Sequence, residues 1–342
     1  MLRIFGLQWH VTNECDQRCK HCYIWQKYEK EGFCMQPTIE QCEKIVDDFL
    51  EFCHEMKVIP HFSITGGDPL LYPHVWGLLK MIKEREIRFT ILGNPFYLTA
   101  EIVNKLKNLG CVSYQMSLDG LEATHDSLRK PGSFRATLEA LPLLRHFGIK
   151  SMIMTTVSLL NYREVPDIAR LCVANEVGNF AFARYCPTHG DIEHNMPPRL
   201  YRQFLADMWQ TYRELINGKT KFSLKDHLWN AFLYEEGLYN LCEEKGIVLD
   251  GCNCAIAHMT LLPNGTVYDC RRFDSPVGKI GDQNFKEIFL SPEMNQYRQI
   301  EKLVCCKDCE LLYYCRGCHA VAAGTTGNFF DKDPQCWRCL KY

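Results

Sequence analysis

The sequence contains no run of eighteen apolar residues, so nothing in it reads as a membrane-spanning helix. Its opening, MLRIFGLQWHVTNEC, lacks the apolar centre and small-residue cleavage site of a secretory signal. Net charge is also scarce. Thirty-nine basic side chains against 41 acidic ones leave −2, which gives no electrostatic reason to expect nucleic acid. Repeats, low-complexity tracts and a basic tail are missing as well. These absences point to a cytoplasmic protein with no membrane partner. Its 342 residues suffice for one large domain or two, and 46% hydrophobic residues can build an ordinary core.

What the chain has in excess is cysteine, 20 in all. Disulfide scaffolds reach such densities in short secreted chains, but this chain is long, and its cysteines gather near its two ends. In a reducing compartment clustered thiols bind metal more often than they pair. Cys15, Cys19 and Cys22 crowd into CDQRCKHCY, and ten more follow from Cys252 onward. The other seven (Cys34, Cys42, Cys53, Cys111, Cys172, Cys186 and Cys242) are scattered and read as small buried hydrophobes.

Up to about residue 185 strands and helices alternate. RIFGLQWHV, HFSITGG, RFTILGN, SYQMSLDG, KSMIMTTVS and NFAFARYC read as six strands. TIEQCEKIVDDFLEFCHEM predicts a helix, with Thr38 and Gln41 at capping-box spacing and Ile39, Ile45, Val46, Phe49 and Leu50 on one face. Further helices are expected at YPHVWGLLKMIKER (residues 72–85) and near residues 99–109, 134–147 and 164–175. Parallel neighbours need a crossover, so this alternation implies βαβ units and an α/β fold. In such folds ligands collect at the carboxyl ends of strands. The cysteines follow the first strand, TGGDP the second and SLDG the fourth, so the three are expected to converge. Two helical stretches, PPRLYRQFLADMWQTYRELI and DHLWNAFLYEEGLY, come next. From about residue 240 the chain is rich in cysteine and poor in periodicity, as in segments held together by metal.

Three thiolates at one loop leave a cluster of four irons with one iron open to a non-protein ligand, as three protein ligands leave catalytic zinc an open position. A partial zinc knuckle with a distant fourth ligand is the alternative on spacing alone. The C-x3-C-x2-C pattern after a first strand resembles the signature of the radical S-adenosylmethionine (radical SAM) enzymes. That resemblance implies a partial (β/α)6 TIM-like barrel and a [4Fe-4S] cluster on Cys15, Cys19 and Cys22. It also implies reductive cleavage of S-adenosylmethionine (SAM) to methionine and a 5′-deoxyadenosyl radical, which takes hydrogen from a substrate. TGGDP looks like the family's GGEP segment, so Gly66, Gly67, Asp68 and Pro69 are expected at the methionine amino group. By the same likeness Ser117 meets the ribose or carboxylate end, Arg129 pairs with the carboxylate, and His21 touches the adenine or shields the cluster. The third strand departs from the pattern, with LGNP and Asn94 where the family often has Thr-Asn-Gly.

The later cysteines run C-x10-G-x4-C from Cys254 to Cys270, then C-x2-C-x5-C-x2-C from Cys306 to Cys318, with Cys336 and Cys339 last. This resembles the SPASM extension, a small cysteine-rich domain that holds two auxiliary iron–sulfur clusters. The likeness implies one cluster on Cys252 or Cys254 or both, with Cys270 and Cys318. A second would use Cys306, Cys309, Cys315 and Cys336, leaving Cys305 and Cys339 spare. The family ends its quartet with a three-residue spacing where this chain has two. Paired C-x2-C motifs serve zinc as well. Three [4Fe-4S] clusters and SAM are the expected cofactors. The expected domains are residues 1–235, a barrel with a helical linker, and residues 236–342, the SPASM domain.

Arg271 and Arg272 follow Cys270 where sulfatase-maturing relatives carry an acidic residue; peptide-crosslinking maturases often show the basic form, and two arginines also suit a solvated surface. The resemblance therefore implies a maturase that oxidises or crosslinks a small ribosomally made, cysteine-containing peptide, with systems of ACGX repeats as a model. Its electron donor would be a flavodoxin or ferredoxin. The chain begins at its first barrel strand, and a leader-peptide-binding domain ahead of it is not expected. Formylglycine formation, a small-molecule dehydrogenase or epimerase, and a non-catalytic iron–sulfur or zinc electron carrier are the competing readings. Only an enzyme needs the glycine and Ser117 motifs. No general base is assigned; His10, Tyr23 and Trp25 flank the cysteine loop, and His189, His194 and His227 are candidates by position only.

Overall fold

The computed structural model describes residues 3–24, 36–187, 191–242 and 246–338. The chain forms two compact units. The first comprises residues 1–117, 122–153 and 254–298, and the second residues 118–121, 154–253 and 299–342. No helix among the described residues is long and apolar enough to cross a membrane.

The first unit is built on a mostly parallel sheet. Strands β1 (Ile4–Thr12), β2 (Ile59–Gly66), β3 (Phe89–Leu92) and β4 (Cys111–Ser117) pair in that order, each parallel to the next. Between them lie the helices Ile39–Glu55, Val75–Glu84 and Ala100–Asn108. The first of these starts on the expected capping box, with the Thr38 hydroxyl accepting from Gln41 N. The six expected strands are all present, β5 (Lys150–Val157) and β6 (Asn179–Arg184) being the last two. Strand β7 (Lys221–Ser223) pairs with β6 in the second unit.

Sequence periodicity does not register β8 (His258–Leu261), which pairs parallel to β1 on its other edge and continues into an antiparallel hairpin of β9 (Thr266–Tyr268) and β10 (Pro276–Lys279). Four residues among cysteines are too few to show a period.

The two faces of this sheet differ in chemistry, because strand side chains alternate. One face carries Phe5, Leu7, Trp9, Phe62, Ile64, Phe89, Ile91, Met259 and Leu261, all essentially buried. The Phe5 ring lies against Phe49, Phe52 and Phe289, so the helices cover this face with aromatics. The register puts Gln8 beside Ser63 and Thr260, His10 beside Thr65, and Ser63 beside Thr90 on the opposite face. Thr90 continues that face to Ser113. These paired positions carry hydroxyl, amide and imidazole groups, with Leu92 on the same face at the end of β3.

The second unit centres on Trp229, whose ring meets Phe182, Tyr212 and Phe232. Its helices are Val165–Ala174, Pro198–Glu214, Leu228–Glu235 and His319–Thr326. Its cysteine-rich segment has little regular structure, the short turn Cys306–Asp308 being typical.

Candidate functional site

The cysteine loop leaves the carboxyl end of β1, and the end of β2 is pressed against it. Gly67 N donates to Thr12 O at 2.8 Å and Asp68 N to Glu14 O at 2.7 Å. A side chain cannot fit between them: a Cβ on Gly66 would lie 2.2 Å from Thr12 O, and one on Gly67 2.0 Å from Glu14 O. Gly66 also holds φ at +148°, a region closed to residues with a Cβ. The two glycines thus earn their place by letting two backbones touch. The Gly67 and Asp68 N–H groups are spent on the loop, which leaves carbonyl oxygens for any ligand amine. Gly67→Ala is expected to destabilise the protein by about 1–3 kcal/mol through overpacking and to lower the iron it retains. Anaerobic denaturation and iron analysis check both.

Asp68 is fully buried and acts as a brace. Its Oδ1 caps the turn Pro69–Leu71 through Leu70 N at 2.9 Å, and its Oδ2 accepts from Asn94 N at 3.2 Å. Burial pushes its carboxyl up to about 7, against the pull of those two N–H groups. Asn94, the departure in the third strand, reaches the cysteines directly. Its Nδ2 donates to Asp16 Oδ1 at 2.7 Å and to Cys15 Sγ at 3.3 Å, while Tyr114 Oη holds its carbonyl at 2.9 Å. Lys130 Nζ binds the other Asp16 oxygen at 3.0 Å. Sequence reasoning noted Asn94 only as a departure from the family pattern and missed Asp16 and Lys130; the three stand 36 and more residues apart with no shared motif.

The expected site residues fall as follows. Arg129 Nη1 donates to Cys19 Sγ at 3.7 Å. Gln17 N donates to Cys15 Sγ at 3.4 Å, and Lys20 N anchors the loop to Leu128 O at 2.9 Å. Burial raises the Cys15 thiol, and the Asp68 and Asp16 charges add to it, while the Gln17 and Asn94 donors pull it back. Three sulfurs on one loop, two of them met by N–H donors, fit a cluster that binds thiolates. His21 is half-buried between two cysteines, and Ser117 ends β4, half-buried. Tyr23 packs on the Arg271 guanidinium, 5.2 Å from its ring centre. Arg271 is 5% exposed, which rules out a solvated surface position for it. Trp25, Cys34, His189 and Cys339 lie outside the described residues.

In the second unit Cys306, Cys309, Cys315 and Cys336 line one cavity of about 370 Å³, together with Glu235, Leu311 and Arg338. Burial, with the nearby Cys336 and Cys309 sulfurs, pushes the Cys306 thiol up to about 12. Cys315 is raised well above its ordinary value by burial, with Cys336 and Cys306 adding to the shift. Buried sulfurs that disfavour each other's charge need a cation among them to ionise. One zinc ion would gather them: Zn–S bonds of about 2.3 Å put tetrahedral sulfurs ~3.8 Å apart. Among the described residues the only trio of ligand atoms within 4.8 Å of one another is Asp191, Glu193 and His194, not any set of cysteines. Cys305 is disulfide-bonded and so is not a thiolate ligand.

The remaining candidate ligands divide between the units. Cys254 and Cys270 belong to the first, where Cys270 N donates to Ser275 Oγ at 3.1 Å. Cys252 and Cys318 belong to the second, beside His227. Burial opposes charge on His227, but a hydrogen bond to Cys252, the two sulfurs and Asp226 outweigh it and raise its pKa.

Residues 9–172 match the family model of the Radical SAM superfamily, and residues 252–319 that of the SPASM iron-sulfur cluster-binding domain. The chain is a radical SAM protein with a SPASM domain. Among curated relatives of this radical SAM protein, the AdoMet-dependent heme synthase of Methanosarcina barkeri is 28% identical, over 96% of this chain and 95% of that protein. The mycofactocin maturase MftC of Mycobacterium ulcerans is 26% identical, over 96% and 87%. In fold it is similar to Streptococcus suis SuiB bound to S-adenosylmethionine, with a TM-score of 0.78 and 19% identity over 98% of this chain and 77% of that one. It is likewise similar to anSMEcpe with bound AdoMet and a Cp18Cys peptide, with a TM-score of 0.76 and 19% identity over 98% and 94%. An enzyme that uses SAM and iron–sulfur clusters follows from the family. A bare electron carrier does not.

Proposed function

We propose that this radical SAM protein oxidises a small, ribosomally made, cysteine-containing peptide. The polar sheet face carries the reading. Gln8, His10, Ser63, Thr65, Thr90 and Thr260 offer donors and acceptors in rows at strand spacing, the chemistry that a peptide backbone satisfies. When bound, the N-terminal cluster and SAM supply the 5′-deoxyadenosyl radical that removes a substrate hydrogen atom.

The chain's own residues do the holding. Cys15, Cys19 and Cys22 would ligate the cluster, Asn94 and Arg129 would donate towards it, and Arg129, Ser117 and the Gly66–Gly67 carbonyls would receive SAM. Two auxiliary clusters, one on Cys306, Cys309, Cys315 and Cys336 and one drawn from Cys252, Cys254, Cys270 and Cys318, would take the second electron that a two-electron oxidation releases. A flavodoxin or ferredoxin would supply the first.

The test is anaerobic incubation of the reduced enzyme and SAM with peptides encoded beside its gene. A peptide lighter by two hydrogens, with 5′-deoxyadenosine formed alongside, is expected. A second reading has its own support, the near full-length similarity to AdoMet-dependent heme synthase. Under it the oxidised group is a tetrapyrrole side chain, and iron coproporphyrin III rather than a peptide is consumed in the same assay.

SAM binding gives a further prediction. Arg129→Ala removes a charge-assisted contact worth roughly 1.5–3 kcal/mol, so SAM affinity should fall on the order of ten- to a hundredfold with iron content unchanged. Equilibrium dialysis with labelled SAM measures it, and an unchanged affinity would remove Arg129 from the cofactor site.

A further inference from the structure

Arg271 is a buried cation that nothing described so far explains. Its Nε and Nη2 are buried without a hydrogen-bond partner, although the residue is only 5% exposed. Tyr23, which directly follows Cys22, and Tyr268 on β9 hold the guanidinium by their rings, at 5.2 and 5.8 Å from its central carbon. Rings favour the charge but accept none of its in-plane hydrogen bonds. Keeping a guanidinium dry with an empty fork is costly, and a site tolerates it where a ligand fills the fork.

The vacant donors are specific ones. Nε and Nη2 lie on one edge of the guanidinium, the edge that grips both oxygens of a carboxylate with two parallel hydrogen bonds. A second unsatisfied group lies close by. His10, on the polar face of the sheet, is 1% exposed with Nδ1 unpartnered, and its other ring nitrogen lies 3.2 Å from Gln8 Nε2. Burial first, then Arg271 and His258, keep this imidazole neutral. A fixed cation beside a neutral, under-used imidazole suits a single negative charge with further polar atoms around it.

We propose that Arg271, with His10 beside it, is the recognition site for a carboxylate of the substrate, one residue along from the Cys22–Tyr23 end of the cysteine loop. The site rests on the reading of the polar face as the place where substrate lies, and it adds the requirement that the substrate be an acid. That acid is either the carboxyl group of a peptide or a propionate of a tetrapyrrole.

Binding alone tests this, without turnover. Cluster-loaded wild-type protein and Arg271→Met are titrated anaerobically with two pairs of probes. One pair is the acetylated tripeptide Gly-Cys-Gly as free acid and as amide; the other is coproporphyrin III and its tetramethyl ester. In the wild type the acid of one pair should bind about tenfold or more tighter than its neutral form, and that pair names the source. Arg271→Met should erase the preference while the electron paramagnetic resonance signals of the reduced clusters stay as they were. No acid preference in either pair overturns the proposal. So does a preference that survives in Arg271→Met, or a variant whose cluster signals move while the preference stays, which would make Arg271 a neighbour of a cluster instead. If Arg271→Met loses iron, Arg271→Lys is read in its place: it keeps the charge and loses the fork, so an undiminished preference overturns the proposal and a reduced one supports it. Failure here leaves peptide oxidation standing if the mass assay is positive, so the two readings fall separately.

Discussion

The variant with Cys15, Cys19 and Cys22 all changed to alanine should form no 5′-deoxyadenosine at all, and it should still be folded. The three thiols sit on one loop, where Asn94 Nδ2 meets Cys15 and Arg129 Nη1 meets Cys19. Without thiolates there is nothing to hold the cluster, and no partial activity is expected. On the proposal of three cubanes, the loss should be on the order of a third of the iron. The rest should remain, because Cys306, Cys309, Cys315 and Cys336 line a cavity made within their own unit. The unchanged frame of the loop, Gly67 N on Thr12 O and Asp68 N on Glu14 O, owes nothing to sulfur. Chromatography of the assay mixture for 5′-deoxyadenosine and iron analysis decide the matter. Any residual cleavage would move the radical site elsewhere.

The second large effect is expected from Arg184→Met. Arg184 is 0% exposed and binds Asp333 with two bonds of 2.7 Å, Asp226 at 2.8 Å and Gln335 at 3.2 Å. Asp333 in turn accepts from Cys318 N at 2.7 Å, and its carbonyl from Cys336 N at 3.0 Å. Removing the guanidinium strands two buried carboxylates and loosens the backbone under two cysteines. The cost should be about 3–5 kcal/mol, seen in anaerobic denaturation, with iron lost from the C-terminal cavity and SAM cleavage partly retained. Adding Asp226→Asn and Asp333→Asn to the same variant should recover part of the stability, since neutral amides tolerate burial better.

The network also sets an acid limit. Burial tends to raise the Asp226 carboxyl, but Arg184 and His227 outweigh that and hold it below its ordinary value. An acid lowered in the folded state contributes stability above its unfolded pKa of about 3.9, and loses it as pH falls through the lower folded value. In Arg184→Met that lowering is lost and burial raises the carboxyl, so the variant's stability deficit against wild type should shrink as pH falls, measured by denaturation at neutral and acid pH.

Much of this protein lies open in local sequence. The capping box at Thr38 and Gln41 forms as its spacing requires, and the six barrel strands stand where alternating apolar runs put them. TGGDP was legible as a motif, although its physical work here is wider than cofactor contact: Gly66 and Gly67 let two backbones close, and Asp68 ties the ends of β2 and β3. The loop thiols were legible because three ligands within eight positions are a local pattern.

What the sequence by itself determined, then, is the chemistry that depends on neighbours along the chain: helix starts, strand alternation, and three sulfurs on one turn. The tertiary structure decided everything that depends on neighbours in space. It set β8 beside β1 and gave the sheet a polar face. It brought Asn94 to Cys15 across 79 positions and Arg184 to Asp333 across 149, and it buried Arg271 with its fork empty. Periodicity reaches a few turns of helix or strand at most, and such pairings are fixed only when distant segments pack and their polar groups must find partners.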